Sequence, residues 1–207
     1  TKDGKLVVAH DEWIDRVSNG SGRIADYTLE ELKKLQFKKT HPDYEGECRI
    51  PTLREVFECL KDTNLTVNIE LKTGVIYYKD IEKKTVALVH EMGYENRVLY
   101  SSFNHRSVLK VREFDPDAKL AFLYSHQLSG VAGYAKMNGV SAVNPSVLCT
   151  HLEDEMHDCL KNNIDIHVWT VNSEDEMHRL CKMGVSAIIT NYPDVAKGIC
   201  EEEKSGV

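Results

Sequence analysis

The feature that most constrains the fold is a regular alternation of strand and helix patterns from residue 65 onward. Short apolar runs predict six strands, near residues 65–71, 97–101, 119–123, 141–144, 165–170 and 185–190. Amphipathic patterns predict a helix after each of them, near residues 79–92, 104–114, 129–138, 151–162, 173–183 and 193–203. Six strand–helix units in succession imply parallel strands joined by right-handed crossovers. This rhythm is typical of a TIM-type (β/α)₈ barrel or of a doubly wound sheet.

The composition fits a single globular domain over residues 1–207, with 42% hydrophobic and 29% charged residues. A formal net charge of −7 argues against nucleic acid or an anionic membrane surface as the main partner. No apolar run is long enough to span a membrane and no signal-peptide pattern is present, so we expect no stable membrane insertion. The six cysteines form no CxxC pair, which fits free thiols in a reducing compartment and predicts a cytoplasmic protein.

Three helix starts carry the capping-box pattern, in which a Ser or Thr is followed three residues later by Glu. The pairs are Thr28 with Glu31, Thr52 with Glu55, and Ser173 with Glu176. The first two predict short helices that run to about Leu35 and Lys61.

The N-terminal residues Thr1–Gly4 form a turn pattern of the Asp-Gly kind, which favours hairpins. A short apolar strand is predicted at Leu6–Ala9, and it ends at His10 and Asp11. A hairpin needs a strand before its turn as well as after it, and nothing precedes Thr1 in the sequence. We therefore expect that the sequence is cut upstream.

One predicted strand, Val67–Lys72, carries polar side chains on one of its two faces. Because side chains alternate along a strand, Asn68, Glu70 and Lys72 share that face. Strands of parallel sheets are usually apolar on both faces, and burying polar groups is costly unless they are paired or bind a metal. Two interpretations follow: a structural Glu70–Lys72 ion pair, or a functional site. The position of Lys72 at the carboxyl end of the strand favours the site.

Motifs of several other enzyme classes are absent from the sequence. His90-Glu91 lacks the second histidine of the HExxH zinc motif. The glycines at 130 and 133 lack the third glycine of a dinucleotide fingerprint, and no GxSxG nucleophile elbow is present. His167 shares a strand face with Trp169, and we interpret it as a hydrogen-bonded interior histidine.

The residues at predicted strand ends belong to a set of segments that resembles a known family. These residues are His10, Glu70, Lys72, Phe103, Asn144 and Trp169. The segments are Thr1–Asp11 with Arg16, Thr28–Leu32, Ile50–Leu53, Ile69–Lys72, Ser101–Phe103, Val168–Asn172 and Ile189–Pro193. In content and order they resemble the glycerophosphodiester phosphodiesterase family, over nearly the whole chain.

The resemblance also implies features that the sequence lacks. Members of this family begin with a strand ending in His-Arg-Gly, then a helix, then a strand carrying Glu-x-Asp. These supply the first catalytic histidine, a phosphate-binding arginine and two metal ligands, and none of them is present here. Two further strand–helix units upstream would complete a TIM-type (β/α)₈ barrel. We therefore expect a barrel without its first two units, and a chain that cannot carry the whole mechanism alone.

The resemblance assigns roles to the residues that are present. Glu70 is implied as a ligand of Mg²⁺ or Ca²⁺, which prefer oxygen donors. Lys72 is implied to place a positive charge on the phosphate, and His10 to protonate the departing alcohol and later to activate water. Phe103 and Trp169 are implied as walls of the glycerol or headgroup side, although packing aromatics at the barrel top would look the same. Asp11 either orients His10 or caps the loop after the strand.

The function implied is metal-dependent hydrolysis of small glycerophosphodiesters to sn-glycerol 3-phosphate and an alcohol, in phospholipid degradation. One alternative is a catalytically inactive barrel that acts as a binding or structural protein. Another is a related, phospholipase D-like barrel that acts on larger phospholipids. That alternative predicts an exposed apolar rim near the strand ends, which the sequence does not obviously supply.

Overall fold

The computed structural model describes residues 1–205, and its regular elements follow the predicted alternation. Two helices precede the sheet, α1 at Leu29–Lys34 and α2 at Leu53–Leu60. The strands are β1 (Val67–Glu70), β2 (Val98–Ser102), β3 (Lys119–Tyr124), β4 (Ala142–Pro145), β5 (Asp165–Val168) and β6 (Ala187–Ile188). The helices that follow them are α3 (Ile81–Glu91), α4 (His105–Val111), α5 (Val131–Met137), α6 (Glu153–Lys161), α7 (Glu174–Met183) and α8 (Pro193–Ser205).

The six strands form one sheet in the order β1-β2-β3-β4-β5-β6, and every neighbouring pair is parallel. This confirms the parallel strands and the crossover helices that the sequence predicts. Within residues 1–205, β1 and β6 each pair with only one strand, so the sheet is open at both sides. All six strands point the same way, and their carboxyl ends therefore meet at one edge.

The main core lies between the sheet and the helices. Tyr100 and Phe122 from the strands pack in one cluster with Val89 of α3 and Val108 of α4, and each is at most 1% exposed. A separate small cluster holds the N-terminal part together around Ile14, Ile24, Leu32 and Ile50. Among residues 1–205, none of the helices combines the length and the apolar character that crossing a bilayer requires.

The N-terminal strand prediction is wrong, although the turn before it is confirmed. The Gly4 amide donates to the Thr1 carbonyl at 2.9 Å, and Gly4 has a φ of +72°, a conformation that glycine adopts without strain. Leu6–Ala9 forms no strand, and only an isolated antiparallel bridge joins Val7 to Thr52. An apolar run becomes a strand only where a neighbouring strand accepts its hydrogen bonds.

Two of the three predicted capping boxes are confirmed. Thr28 with Glu31 and Thr52 with Glu55 each exchange the side-chain and backbone hydrogen bonds that define the box. The third prediction is wrong, because the Ser173 side chain makes no capping hydrogen bond. Arg179 donates to the Glu176 carboxylate at 2.7 Å instead, which removes that carboxylate from the helix start.

The expectation of six free thiols is corrected in one place. Cys181 of α7 and Cys200 of α8 are paired as a disulfide, with their Cα atoms 5.8 Å apart. The pair joins two helices that already pack against each other at the end of the chain. The other four cysteines are free thiols, and Cys149 and Cys159 are buried.

Candidate active site

Glu70 and Lys72 lie at the carboxyl edge of the sheet and contact each other. Glu70 is the last residue of β1, and Lys72 follows two residues later. Lys72 Nζ lies 2.8 Å from Glu70 Oε1, and the two side chains are 25% and 26% exposed. The ion pair that the sequence suggested therefore exists. It is open to solvent at the edge where parallel α/β folds bind their ligands.

The structure places His10 beside this ion pair, although the two segments are sixty residues apart in the sequence. His10, Glu70 and Lys72 line one cleft of about 330 Å³, together with apolar residues such as Val7 and Ile81. The His10 side chain is 80% exposed, so its ring is accessible from solvent. The cleft thus combines a histidine, a carboxylate and an ammonium group, which can together hold and protonate an anionic substrate.

Asp11 orients the His10 ring. His10 Nδ1 lies 2.6 Å from Asp11 Oδ1, and Arg16 Nε donates to the other oxygen of the same carboxylate at 2.7 Å. These two partners lower the pKa of Asp11 from 3.8 to about 2, with the Arg16 hydrogen bond as the larger cause. Because an ionised carboxylate can only accept, Nδ1 of His10 carries the hydrogen, and Nε2 is left for a ligand.

We expect Asp11→Asn to lower the melting temperature near neutral pH by roughly 1–3 °C, the usual effect of a partly exposed ion pair in a domain of this size. The lowered pKa of Asp11 means that its carboxylate stabilises the fold above pH 3.8, and that this contribution is lost as the pH falls through about 2. Melting curves should therefore converge for the two proteins as the pH approaches 2. A difference that stays constant down to that pH would contradict the assignment.

The two predicted aromatic walls contact each other. Phe103 and Trp169 pack edge to face, with ring centroids 5.5 Å apart. Phe103 lines a second cleft of about 350 Å³ with Glu70 and Lys72, which places it directly at the candidate site. The Trp169 indole donates to the Asn144 carbonyl at 2.8 Å, and Trp169 reaches the site through its contact with Phe103.

His167 is an interior hydrogen-bonded histidine, as the sequence indicated. Its Nδ1 lies 3.0 Å from Asn144 Oδ1, and burial lowers the pKa of the ring. Glu12, which no sequence motif singled out, lines the second cleft with Lys72. The available signal was its position immediately after His10 and Asp11, at the end of an apolar run.

The described residues supply only part of a metal site. Glu70 offers a carboxylate oxygen to the cleft, which suits a hard divalent cation. Within residues 1–205, no group of three or more His, Cys, Asp or Glu side chains is arranged to hold a metal ion. Glu70 thus fits one position of a coordination shell, and the described part of the chain does not provide the rest.

Exposed apolar side chains lie in the loops that follow the strands. In the loop after β1, Val75 is 70% and Tyr77 is 58% exposed, and Phe103 after β2 is 44% exposed. Leu148 and Leu152, between β4 and α6, are 67% and 38% exposed. The sequence did not obviously supply an apolar rim near the strand ends, but the structure exposes these residues there.

Similarity to known proteins extends over almost the whole chain. The sequence profile of the glycerophosphoryl diester phosphodiesterase family matches residues 1–195. The glycerophosphodiester phosphodiesterase of Caldanaerobacter subterraneus subsp. tengcongensis is 40% identical over 195 residues, which cover 94% of this chain and 79% of that protein. The glycerophosphodiester phosphodiesterase of Bacillus altitudinis is 34% identical over 99% of this chain and 84% of that protein.

Solved structures of related proteins share the fold. A glycerophosphodiester phosphodiesterase from Parabacteroides distasonis gives a TM-score of 0.84 at 25% identity, over 99% of this chain and 81% of that one. An Oleispira antarctica phosphodiesterase in complex with the product sn-glycerol-3-phosphate gives a TM-score of 0.83 at 22% identity, over 97% of this chain and 81% of that one. Sequence and fold agree, and the chain belongs to the glycerophosphoryl diester phosphodiesterase family.

Proposed function

We propose that the protein hydrolyses glycerophosphodiesters to sn-glycerol 3-phosphate and an alcohol, as a step in phospholipid degradation. The observation that carries the proposal is the meeting of His10, Glu70 and Lys72 in one cleft at the carboxyl edge of the sheet. Two relatives that are 40% and 34% identical are glycerophosphodiester phosphodiesterases, and the Oleispira antarctica protein of the same fold binds sn-glycerol-3-phosphate.

The residues of the cleft divide the chemistry of a phosphodiester between them. Lys72 places a positive charge next to the phosphate, where it offsets the negative charge that accumulates in the transition state. The oxygen of a water molecule bonds to phosphorus as the bond to the alcohol oxygen breaks, and His10 in its doubly protonated form donates the Nε2 proton to that alcohol oxygen. Nε2 then takes up the proton that the former water oxygen loses, so that the histidine is regenerated. Phe103 and Trp169 flank the part of the cleft that would hold the glycerol or the headgroup.

A divalent metal ion, Mg²⁺ or Ca²⁺, is part of the proposal, with Glu70 as one of its ligands. Such an ion would neutralise the phosphoryl oxygens and orient them. The position of Glu70 supports this, because it lines the same cleft as His10 and Lys72, and carboxylate oxygens are ligands that such cations prefer.

We also propose that the six-stranded sheet is part of a closed eight-stranded barrel. In the part of the chain that the structure describes, the outer edges of β1 and β6 have no partner strand. This supports the proposal, because a closed barrel pairs such edges, whereas open edges favour association with another chain. Residues 1–207 expressed alone should therefore aggregate or remain molten, without phosphodiesterase activity. Adding the N-terminal segment of the Caldanaerobacter relative should restore a cooperative melting transition and turnover. A monomeric, active chain of 207 residues would contradict the proposal.

The activity is tested by incubating the full-length protein with glycerophosphocholine and following the products by ³¹P NMR. We expect the phosphorus to appear as glycerol 3-phosphate. Phosphocholine as the product would mean cleavage on the other side of the phosphorus. No turnover with either Mg²⁺ or Ca²⁺ would favour the alternative of an inactive barrel that binds ligands.

A second candidate function is the cleavage of larger, acylated phosphodiesters such as lysophospholipids. The exposed Val75, Tyr77, Leu148 and Leu152 side chains favour it, because exposed apolar residues in the loops after the strands can contact an acyl chain. The ratio of kcat/KM for lysophosphatidylcholine and glycerophosphocholine distinguishes the two. A ratio above one would make the acylated substrate the preferred one.

A further inference from the structure

A buried carboxylate lies behind the cleft and has no part in the chemistry proposed above. Glu82, in the first turn of α3, is 0% exposed. It shares the buried stripe of this helix with Thr85, Val86 and Val89. Burying a carboxylate is costly unless polar groups bond to it. The groups that bond to Glu82 therefore show which part of the structure it holds in place.

The partners of Glu82 connect it to the loop that carries Lys72. Ser107 Oγ donates to Glu82 Oε1 at 2.7 Å, and Lys110 Nζ lies 3.3 Å from Oε2. Ser107 Oγ in turn accepts from Thr73 Oγ1 at 2.7 Å. Thr73 and Ser107 are 4% and 2% exposed, so water does not compete for these bonds. We call the chain Glu82–Ser107–Thr73 the relay.

The end of the relay is tied to the loop after β2. Ser102 Oγ donates to the Leu71 carbonyl at 2.6 Å, and the Asn104 amide donates to Ser102 Oγ at 3.0 Å. The Asn104 side chain also donates to the Thr73 carbonyl at 3.2 Å. The Thr73 and Ser102 hydroxyls lie 3.4 Å apart, but each gives its one hydrogen to another group, so this contact is packing.

These bonds surround two residues of the cleft. The hydrogen-bonded backbone groups of Leu71 and Thr73 lie on either side of Lys72, and Phe103 lies between Ser102 and Asn104, which bond to each other. Glu82 Oε1 sets the direction of the relay, because it accepts the one hydrogen of the Ser107 hydroxyl. The Ser107 oxygen is then free to accept from Thr73.

We propose that Glu82 is a positioning residue, which holds Lys72 and Phe103 in place through the relay. This inference rests on the proposed function, because the position of Lys72 affects turnover only if Lys72 contacts the phosphate. It gives Glu82 no contact with the substrate, and it predicts that breaking the relay moves Lys72 without removing any group of the cleft.

Two variants of the full-length protein break the relay with little change in volume. Thr73→Val removes the hydroxyl, and Glu82→Met removes the carboxylate oxygen that accepts from Ser107. We expect kcat for glycerophosphocholine to fall by roughly 10- to 100-fold, the cost of displacing a catalytic group by a fraction of an ångström to about 1 Å. The rate of Lys72 acetylation is measured by peptide mass spectrometry, with the exposed Lys197 as the internal reference. We expect this rate to be several-fold higher in both variants than in the unmodified sequence.

Asp115→Asn is the matched control, because Asp115 is also buried and pairs with His90 at the opposite end of α3. It should lower the melting temperature and leave both kcat and Lys72 acetylation unchanged. Thr73→Ser keeps the hydroxyl, so Lys72 should be acetylated as slowly in this variant as in the unmodified protein.

The acetylation measurement keeps this proposal separate from the proposed function, because it needs no turnover. Unchanged Lys72 acetylation in both relay variants, or the same increase in Asp115→Asn, would overturn the proposal. Faster acetylation in a protein without phosphodiesterase activity would uphold the relay and refute the proposed function.

Discussion

Replacing His10 by Ala is expected to lower kcat for glycerophosphocholine by roughly 10²–10⁴-fold, the usual contribution of one positioned general acid or base. Choline leaves as a poor alkoxide unless it receives a proton, and in the proposed mechanism Nε2 of His10 gives it. The structure supports an effect on chemistry rather than on folding, because the His10 side chain is 80% exposed.

Changing the leaving group of the substrate tests whether His10 donates a proton or only shapes the cleft. A glycerophosphodiester with a nitrophenol leaving group hardly needs a proton, so His10→Ala should reduce its hydrolysis much less. His126→Ala is a suitable control, because His126 is also exposed and its ring lies at hydrogen-bonding distance, 3.1 Å, from its neighbour Ser125. An equal loss for both leaving groups would show that His10 does not act as the acid.

Replacing Glu70 by Gln is expected to abolish metal-dependent turnover. The loss of activity should exceed roughly 10²-fold, which is the upper end of the effect of replacing a residue that only hydrogen-bonds to a metal ligand. The amide keeps the shape of the carboxylate and loses the charge that binds a divalent cation. The fold should survive, because the Glu70 side chain is 26% exposed. Activity and melting temperature, measured over a titration of Mg²⁺ and of Ca²⁺, check both statements.

Glu91→Gln provides the control for a lost ion pair. Glu91 contacts Arg54 at 2.6 Å and lies at the far end of α3 from the cleft, so its replacement should cost stability only. Full activity of Glu70→Gln at low metal concentration would contradict the role of Glu70 as a ligand. A uniform loss of activity at every metal concentration, with an unchanged metal affinity, would assign it to holding Lys72 instead.

Most of the fold could be predicted because each strand–helix unit leaves a local signal. An apolar run bounded by turn residues, followed by an amphipathic stretch, is sufficient to locate β1 to β6 and their helices. Leu6–Ala9 has the same kind of apolar run, but a strand also needs a neighbour. In the described residues its backbone hydrogen bonds go to Pro51 and Leu53, on either side of the isolated bridge to Thr52. Sequence periodicity contains no information about that missing partner.

The candidate site was predictable where its residues follow apolar runs, and hidden where they lie on helices. Glu70 and Lys72 stand at the carboxyl end of β1, where parallel α/β folds place functional residues. His10 follows the apolar run Leu6–Ala9, which gave the same signal although it forms no strand. A glutamate in the first turn of a helix is normally exposed, and the helix dipole favours it there. The position of Glu82 therefore did not indicate that its side chain is buried. Its signal was a place on the buried stripe with Thr85, Val86 and Val89.

The disulfide was missed for a different reason. Cys181 and Cys200 are 19 residues apart, on two helices whose packing angle no local pattern specifies. Spacing alone therefore could not distinguish this pair from the four free cysteines.

The central claim is that the cleft of His10, Glu70 and Lys72 holds the phosphate of a glycerophosphodiester. A crystal structure of the full-length protein with sn-glycerol 3-phosphate tests it most directly. We predict phosphate oxygens within hydrogen-bonding distance of Lys72 Nζ and His10 Nε2, with Glu70 turned to a divalent cation. A phosphate bound elsewhere, with the 2.8 Å pair between Lys72 and Glu70 intact, would contradict the claim.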